Sequence, residues 1–194
     1  MKISNIVLIL VALAFATPVM AQNQKREKAG EEMQYEELTL PRKVENVTIK
    51  DLYGNYTTLP HYGEKNLLIF YVDPDAYLAM NKNNKNNKFA EELEENSRAA
   101  GPEIYGFGIL NFPDTWLPKN FLRKICRKRV ERNGAIIIED HDHTFKNAFG
   151  LGDCDKTFMI LIVTKEGNLE YVLKEEVDEA GKELFYSIID KYRF

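Results

Sequence analysis

The stretch "NLLIFYVDPDAYLAM", residues 66–80, decides how the rest of the chain is read. After Asn66, Leu67 to Val72 is an unbroken apolar run, the mark of a strand buried on both faces rather than on one. Asp73, Pro74 and Asp75 then read as a helix start. Proline is tolerated in a first helical turn. A carboxylate there accepts the free amide hydrogens and suits the helix dipole. The four residues Asp73–Ala76 that follow the strand contain no cysteine.

Working outward, a helix is predicted from about Ala76, broken by the polar run "NKNNKNNK", which reads as a mobile loop or a poorly ordered turn. "FAEELEENSRAA" resumes helix and stops at Gly101-Pro102, a strong terminator. "EIYGFGIL" is a strand. "DTWLPKNFLRKICRKRVERNG" places Leu117, Phe121, Leu122, Ile125 and Val130 near helical spacing, with Gly134 as the stop. "AIIIE" is a strand and "HTFKNAFG" a short helix. "TFMILIVTKEGNLEYVL" is a pair of strands around a Lys165-Glu166-Gly167 turn. "DEAGKELFYSIIDKYRF" is an amphipathic helix with Leu184, Phe185, Ile188, Ile189 and Tyr192 on one side. Upstream, "VENVTIKDLYGNYTTLP" reads as a hairpin turning at Gly54-Asn55. Helices between strands imply crossovers and a parallel core, to which the closing hairpin adds antiparallel strands.

The ends of the chain bound its setting. Residues 1–21 carry Lys2, an apolar run from Ile6 to Ala16 and Val19-Met20-Ala21, the pattern of a secretory signal peptide. The run is short of the ~20 apolar residues of a membrane span. Residues 22–43 read as a flexible leader, and 44–194 as one domain. No later run is long enough to span a membrane. A net charge of −4 over 194 residues points to no general nucleic-acid role.

"GEKNLLIFYV" and "AIIIEDHDHTFKNAFGLGDCDKTFMILIVTKEGNLEYV" resemble the first core strand and the second half of exported thioredoxin-like proteins. "AYLAMN", "ILNFPDTWLP" and "FKNAFGL" resemble the YtfJ family of periplasmic proteins in type and order. The resemblance covers about residues 44–194. It implies an α/β fold, a thioredoxin-like three-layer sandwich with a mixed central sheet and an N-terminal hairpin, in a periplasmic protein without Cys-x-x-C. Redox members need a thiolate at the strand-to-helix junction, activated by the helix N-terminus. Asp75 stands about there. They also place a cis-proline before the "TF" strand, where this chain has "GDCDKTF", with Asp155 near that slot.

Four groups of residues are candidates for chemistry. Asp73 and Asp75, with Asp155, read either as caps and loop residues or as acidic ligands or acid-base groups in the old active-site groove. Glu139 to Phe145, "EDHDHTF", is either a polar turn with Asp142 or Thr144 as helix cap, or a metal site built on His141 and His143, since imidazole, thiolate and carboxylate are transition-metal ligands. Cys154 is the candidate nucleophile. Asp75, His141, His143, Cys154 and Asp155 are all expected at one edge of the fold. A Cys126–Cys154 disulfide needs Cα atoms within ~7 Å, and the helix carrying Cys126 is expected to run away from the Cys154 loop. The fourth group is the basic run Lys119, Arg123, Lys124, Arg127, Lys128, Arg129 and Arg132, read as a solvated helix face or a contact for an anionic envelope component. Asn46-Val-Thr48 and Asn55-Tyr-Thr57 are sequons, used only in a glycosylating secretory path. The favoured reading is a non-catalytic binding or accessory module of the cell envelope, with no cofactor and an unspecified protein or small-molecule partner. The competing reading is a thiol-redox or peroxide-related oxidoreductase using Cys154.

Overall fold

The apolar run at 67–72, with Asn66 before it, becomes the strand about which the molecule is organised. The computed structural model describes residues 39–79, 85, 88–89, 92–93, 97–174 and 176–194. Its strands are β1 (Arg42–Lys43), β2 (Thr48–Asp51), β3 (Tyr56–Thr58), β4 (Asn66–Val72), β5 (Ile104–Asn111), β6 (Ile137–Asp140), β7 (Phe158–Val163) and β8 (Asn168–Leu173). Its helices are α1 (Pro74–Ala79), α2 (Lys119–Asn133), α3 (Thr144–Ala148) and α4 (Glu179–Tyr192), with a 3-10 turn at Ser97–Ala99. The strands form one sheet in the order β1-β8-β7-β4-β5-β6-β2-β3.

β4, β5 and β6 are parallel, and β7 lies antiparallel on the other flank of β4. Every residue of β4 and of β7 is buried, as an uninterrupted apolar run requires when both faces are covered. The pleat sorts their side chains. Leu68, Phe70, Val72, Phe158, Ile160 and Ile162 face one hydrophobic layer, whereas Leu67, Ile69, Tyr71, Met159, Leu161 and Val163 face the other. α2 and α4 cover the first layer through Leu122, Cys126, Phe185, Tyr186 and Ile189. Phe145 and Phe149, in and just after α3, lie in the second. The result is a thioredoxin-like sandwich of helix, mixed sheet and helix, with the β2–β3 hairpin paired onto β6.

Local signals set the helix ends. α2 stops at Gly134, whose left-handed φ of 65° brings its N–H to Val130 O at 2.9 Å. Asp178 caps α4 by accepting from Gly181 N at 2.7 Å, a contact worth about 1 kcal/mol.

Three sequence expectations are corrected. Phe121 and Leu184 are exposed, not core. The buried stripe of α2 is Leu122-Cys126 with Val130 beside it, and that of α4 is Phe185-Ile189, four-residue steps that leave the preceding residue about 100° away around the helix. Arg42 and Lys43 lie within the expected leader 22–43, yet they pair with Leu169 and Asn168 as β1, and Val44 N continues to Gly167 O at 2.9 Å. Residues 1–38, with the predicted signal peptide, lie outside the described residues, as does most of the run 81–88. Of the helix predicted after that run, Phe89 and Leu93 are helical and buried. Among the described residues no helix is long and apolar enough to cross a membrane.

Candidate functional site

Parallel strands end on one side, so Asp73 (just past β4), Asn111 (the last residue of β5) and Asp140 (the last of β6) come to the same edge of the sheet. In open α/β sheets this carboxyl edge is where ligands bind. All three residues are buried and polar, as is Asp75 in the first turn of α1.

The carboxylates are occupied by the protein's own donors. Asp73 accepts from Asp75 N at 2.8 Å and from Lys156 N at 2.6 Å, tying the start of α1 to the loop before β7. Asp75 accepts from the Thr115 hydroxyl at 2.5 Å and from Trp116 N at 3.0 Å, tying α1 to the loop after β5. Burial pushes Asp73 up to about 6; its two N–H bonds oppose the rise, and the neighbouring charges of Asp75 and Asp155 add to it. Asp155 is exposed, its carboxylate 3.6 Å from Lys156 Nζ.

Asp140 is the cap of α3. It accepts from Phe145 N and Lys146 N, each at 3.0 Å, and from the Tyr71 hydroxyl at 3.0 Å. The sequence alone offers Asp142 or Thr144 as this cap. Asp142 instead holds the turn, accepting from the Thr144 hydroxyl at 2.6 Å and more distantly from Thr144 N at 3.3 Å. The position before the helix is His143, in a left-handed conformation with φ 63°. Beneath it Glu139, fully buried, takes both arms of Arg123 at 2.6 and 2.7 Å. Such a two-pronged pair keeps a buried carboxylate partnered.

Asp114 is the junction that sequence reasoning missed. His143 Nε2 lies 2.9 Å from its Oδ1, and Asn111 Nδ2 and Lys146 Nζ lie 2.7 and 3.3 Å from its Oδ2. Against the opposing effect of burial, Asn111, Lys146 and His143 hold Asp114 below the usual carboxylate range. The signal was the loop "FPDTWLP", which follows β5 at the same edge.

The expected convergence therefore occurs only in part. His143 turns to Asp114, while His141 Nε2 lies 3.3 Å from Asp142. The two imidazoles do not share a center, and among the described residues no group of three or more His, Cys, Asp or Glu is placed to hold a metal ion. Cys154 is fully buried. Its thiol is pushed up to about 12 by burial, with Asp114 and Asp153 adding to the shift and Lys146 and Lys174 opposing it. It is a protonated thiol at neutral pH, whereas a thiol nucleophile works as its thiolate. Cys126 is likewise buried and pushed up to about 12. Both cysteines are free, and they lie in the two different hydrophobic layers, on opposite faces of the sheet.

No family model matches the sequence, and no curated protein matches it. Solved structures do. A DsbF homologue from Corynebacterium diphtheriae is 15% identical with a TM-score of 0.54, covering 88% of this chain and 99% of its own. The pneumococcal exposed lipoprotein thioredoxin of Streptococcus pneumoniae is 11% identical with a TM-score of 0.52, covering 76% and 99%. A peroxiredoxin-like protein from Aquifex aeolicus is 11% identical with a TM-score of 0.51, covering 80% and 88%. These likenesses show a thioredoxin-like fold.

Proposed function

We propose that this chain is an exported thioredoxin-like protein without dithiol chemistry, acting as a binding or accessory module of the cell envelope, as the YtfJ resemblance implies. One observation carries the reading. At the strand-to-helix junction, where a redox relative needs an activated thiolate, Asp73 and Asp75 spend their oxygens on Asp75 N, Lys156 N, Thr115 and Trp116. The junction holds loops together and presents no nucleophile. Both thiols are buried and protonated, which supports the same conclusion. Asp73, Asp75 and Asp155 as ligand groups, and His141 and His143 as metal ligands, are the weaker part of the proposal, because each already has an internal partner.

The test is thiol reactivity with turnover. In the folded protein at neutral pH both cysteines should alkylate slowly, and both should react within minutes in denaturant. A dithiol-driven disulfide-reduction assay should show no turnover. Fast labelling of Cys154 in the folded protein, with turnover abolished in Cys154→Ser, would overturn the reading in favour of a thiol enzyme.

A further inference from the structure

The basic run of the sequence becomes one face of α2, and the functional reading above leaves it unexplained. α2 carries seven basic residues and one acid in a chain of net charge −4. Three of the seven turn inward or sideways: Arg123 to Glu139, Arg127 to Leu52 O at 2.8 Å, and Arg129 into a buried position. Lys119, Lys124, Lys128 and Arg132 are exposed. None of these four forms an ion pair among the described residues. Lys124, Lys128 and Arg132 follow each other at four-residue steps, which stacks them on one side of the helix. From Lys124 to Arg132 this row runs about 12 Å along the axis, with the exposed Glu131 the one acid beside it and Lys119 at the helix start on another side.

Exposed aromatic rings border these cations. Trp116 is 75% exposed and Phe121 51% exposed, at the N-terminal end of α2. On the adjoining hairpin, Tyr53 and Tyr56 are exposed, with the Arg127 guanidinium 4.7 Å and Lys50 Nζ 5.2 Å from their ring centers. Arg127, bonded to Leu52 O and stacked on Tyr53, joins hairpin and helix into one surface. The buried stripe of α2 is already packed into the core, so among the described residues this outward face has no partner.

We propose that the outward face of α2, with Trp116 and Phe121 at its tip and the Tyr53/Tyr56 hairpin beside it, docks on an anionic lipid bilayer. Charge complementarity selects the partner. An extended row of unpaired cations matches a plane of phosphates better than it matches a single carboxylate. Trp116 and Phe121 are the rings suited to the headgroup level, where an apolar body and a wet surface meet. The lysine stems lie along the surface while their ammonium groups reach the phosphates. The contact is peripheral and needs no membrane-spanning segment. It rests on this surface alone and stands apart from the assignment of the Asp73–Asp75 junction.

Trp116 is the only tryptophan in the chain, so its fluorescence reports this face and no other. The full chain is titrated with vesicles of equal parts phosphatidylglycerol and phosphatidylcholine, and with phosphatidylcholine alone. Any anchoring through the apolar residues 6–16 is common to both vesicles, and the Trp116 signal with the α2 variant below separates this face from the upstream cations Lys2, Lys25, Arg26 and Lys28. A blue shift and quenching by chain-brominated lipid are expected with the anionic vesicles only, and both should reverse at high salt. The variant K124Q/K128Q/R132Q should bind the anionic vesicles about a hundredfold more weakly. Should that variant fold poorly, the salt reversal in the parent chain is the deciding measurement. An unchanged Trp116 spectrum with anionic vesicles overturns the proposal. A response to soluble polyphosphate without one to vesicles overturns it in favour of an anionic polymer.

Discussion

β4 is tied into the molecule at both ends, and the two ties are made of different chemistry. At its start Asn66, buried, donates to Tyr192 O at 3.0 Å and Glu103 O at 3.3 Å and accepts from Lys165 N at 3.0 Å. Just past its other end Asp73 accepts from two backbone amides, beside the charges of Asp75 and Asp155. Both side chains join loops that are distant in sequence. The amide does so with no charge to bury. The carboxylate edge does so with ionisable groups crowded together, an arrangement that depends on solvent acidity and tolerates fewer changes. Carboxyl-edge stability is thus conditional, and amino-edge stability is not.

The largest expected effect breaks the acidic end. Asp140→Ala strands the Tyr71 hydroxyl and the Phe145 and Lys146 amides, of which the Tyr71 and Phe145 groups are buried. Unpaired buried donors cost about 1–3 kcal/mol each, so a loss of about 4 kcal/mol in urea unfolding is expected. A loss below about 1 kcal/mol would mean water replaces Asp140 and the edge is looser than described.

The next effect sharpens the contrast between the two ties. Folded Asp73 keeps its proton until about 6, against an ordinary 3.8 when unfolded. Its contribution is fully present below the unfolded value and is lost as the pH rises through the folded one. Between pH 3.5 and 7.5 this amounts to about 2–3 kcal/mol. Asp73→Asn should remove that slope, although its overall stability will be lower because one amide then faces Lys156 N. Asn66→Ala should cost about 2 kcal/mol equally at both pH values. Parallel slopes for the parent and Asp73→Asn would show that another group supplies the dependence.

The smallest effect concerns His143. It is partly exposed, and Asp114 keeps Asn111 and Lys146 when the imidazole is removed. His143→Ala is expected to change stability by less than about 1 kcal/mol, measured by thermal and urea unfolding. A larger loss would place the histidine within the acidic tie instead of at its rim.

These contrasts mark what the sequence could and could not show. Periodicity is a local property, and the elements that depend on it were legible: the doubly buried β4 and β7, the Gly134 stop and the closing hairpin. Facing was less legible, because the apolar pattern of α2 offers both Phe121 and Leu122, and only packing into the layer that also holds Phe112 and Ile137 selects Leu122. The site was least legible. Asp114 joins Asn111, in its own stretch, to His143 and Lys146 about thirty residues on, and no spacing rule links the two stretches. "EDHDHTF" reads as a chelating run in one dimension. In the fold its side chains alternate between the interior, where Glu139 meets Arg123 and Asp140 caps α3, and the surface turn of Asp142 and Thr144.

The placement of the two cysteines on opposite faces of the sheet has a consequence for how the chain matures. A layer of paired backbone insulates one sulfur from the other, so no internal cross-link can form in the folded state whatever the surrounding redox poise. Folding has no oxidation step to wait for, and a bridge closed in the unfolded chain would have to be reduced before the sheet could form. The yield of folded protein should therefore fall as the ratio of oxidised to reduced glutathione rises.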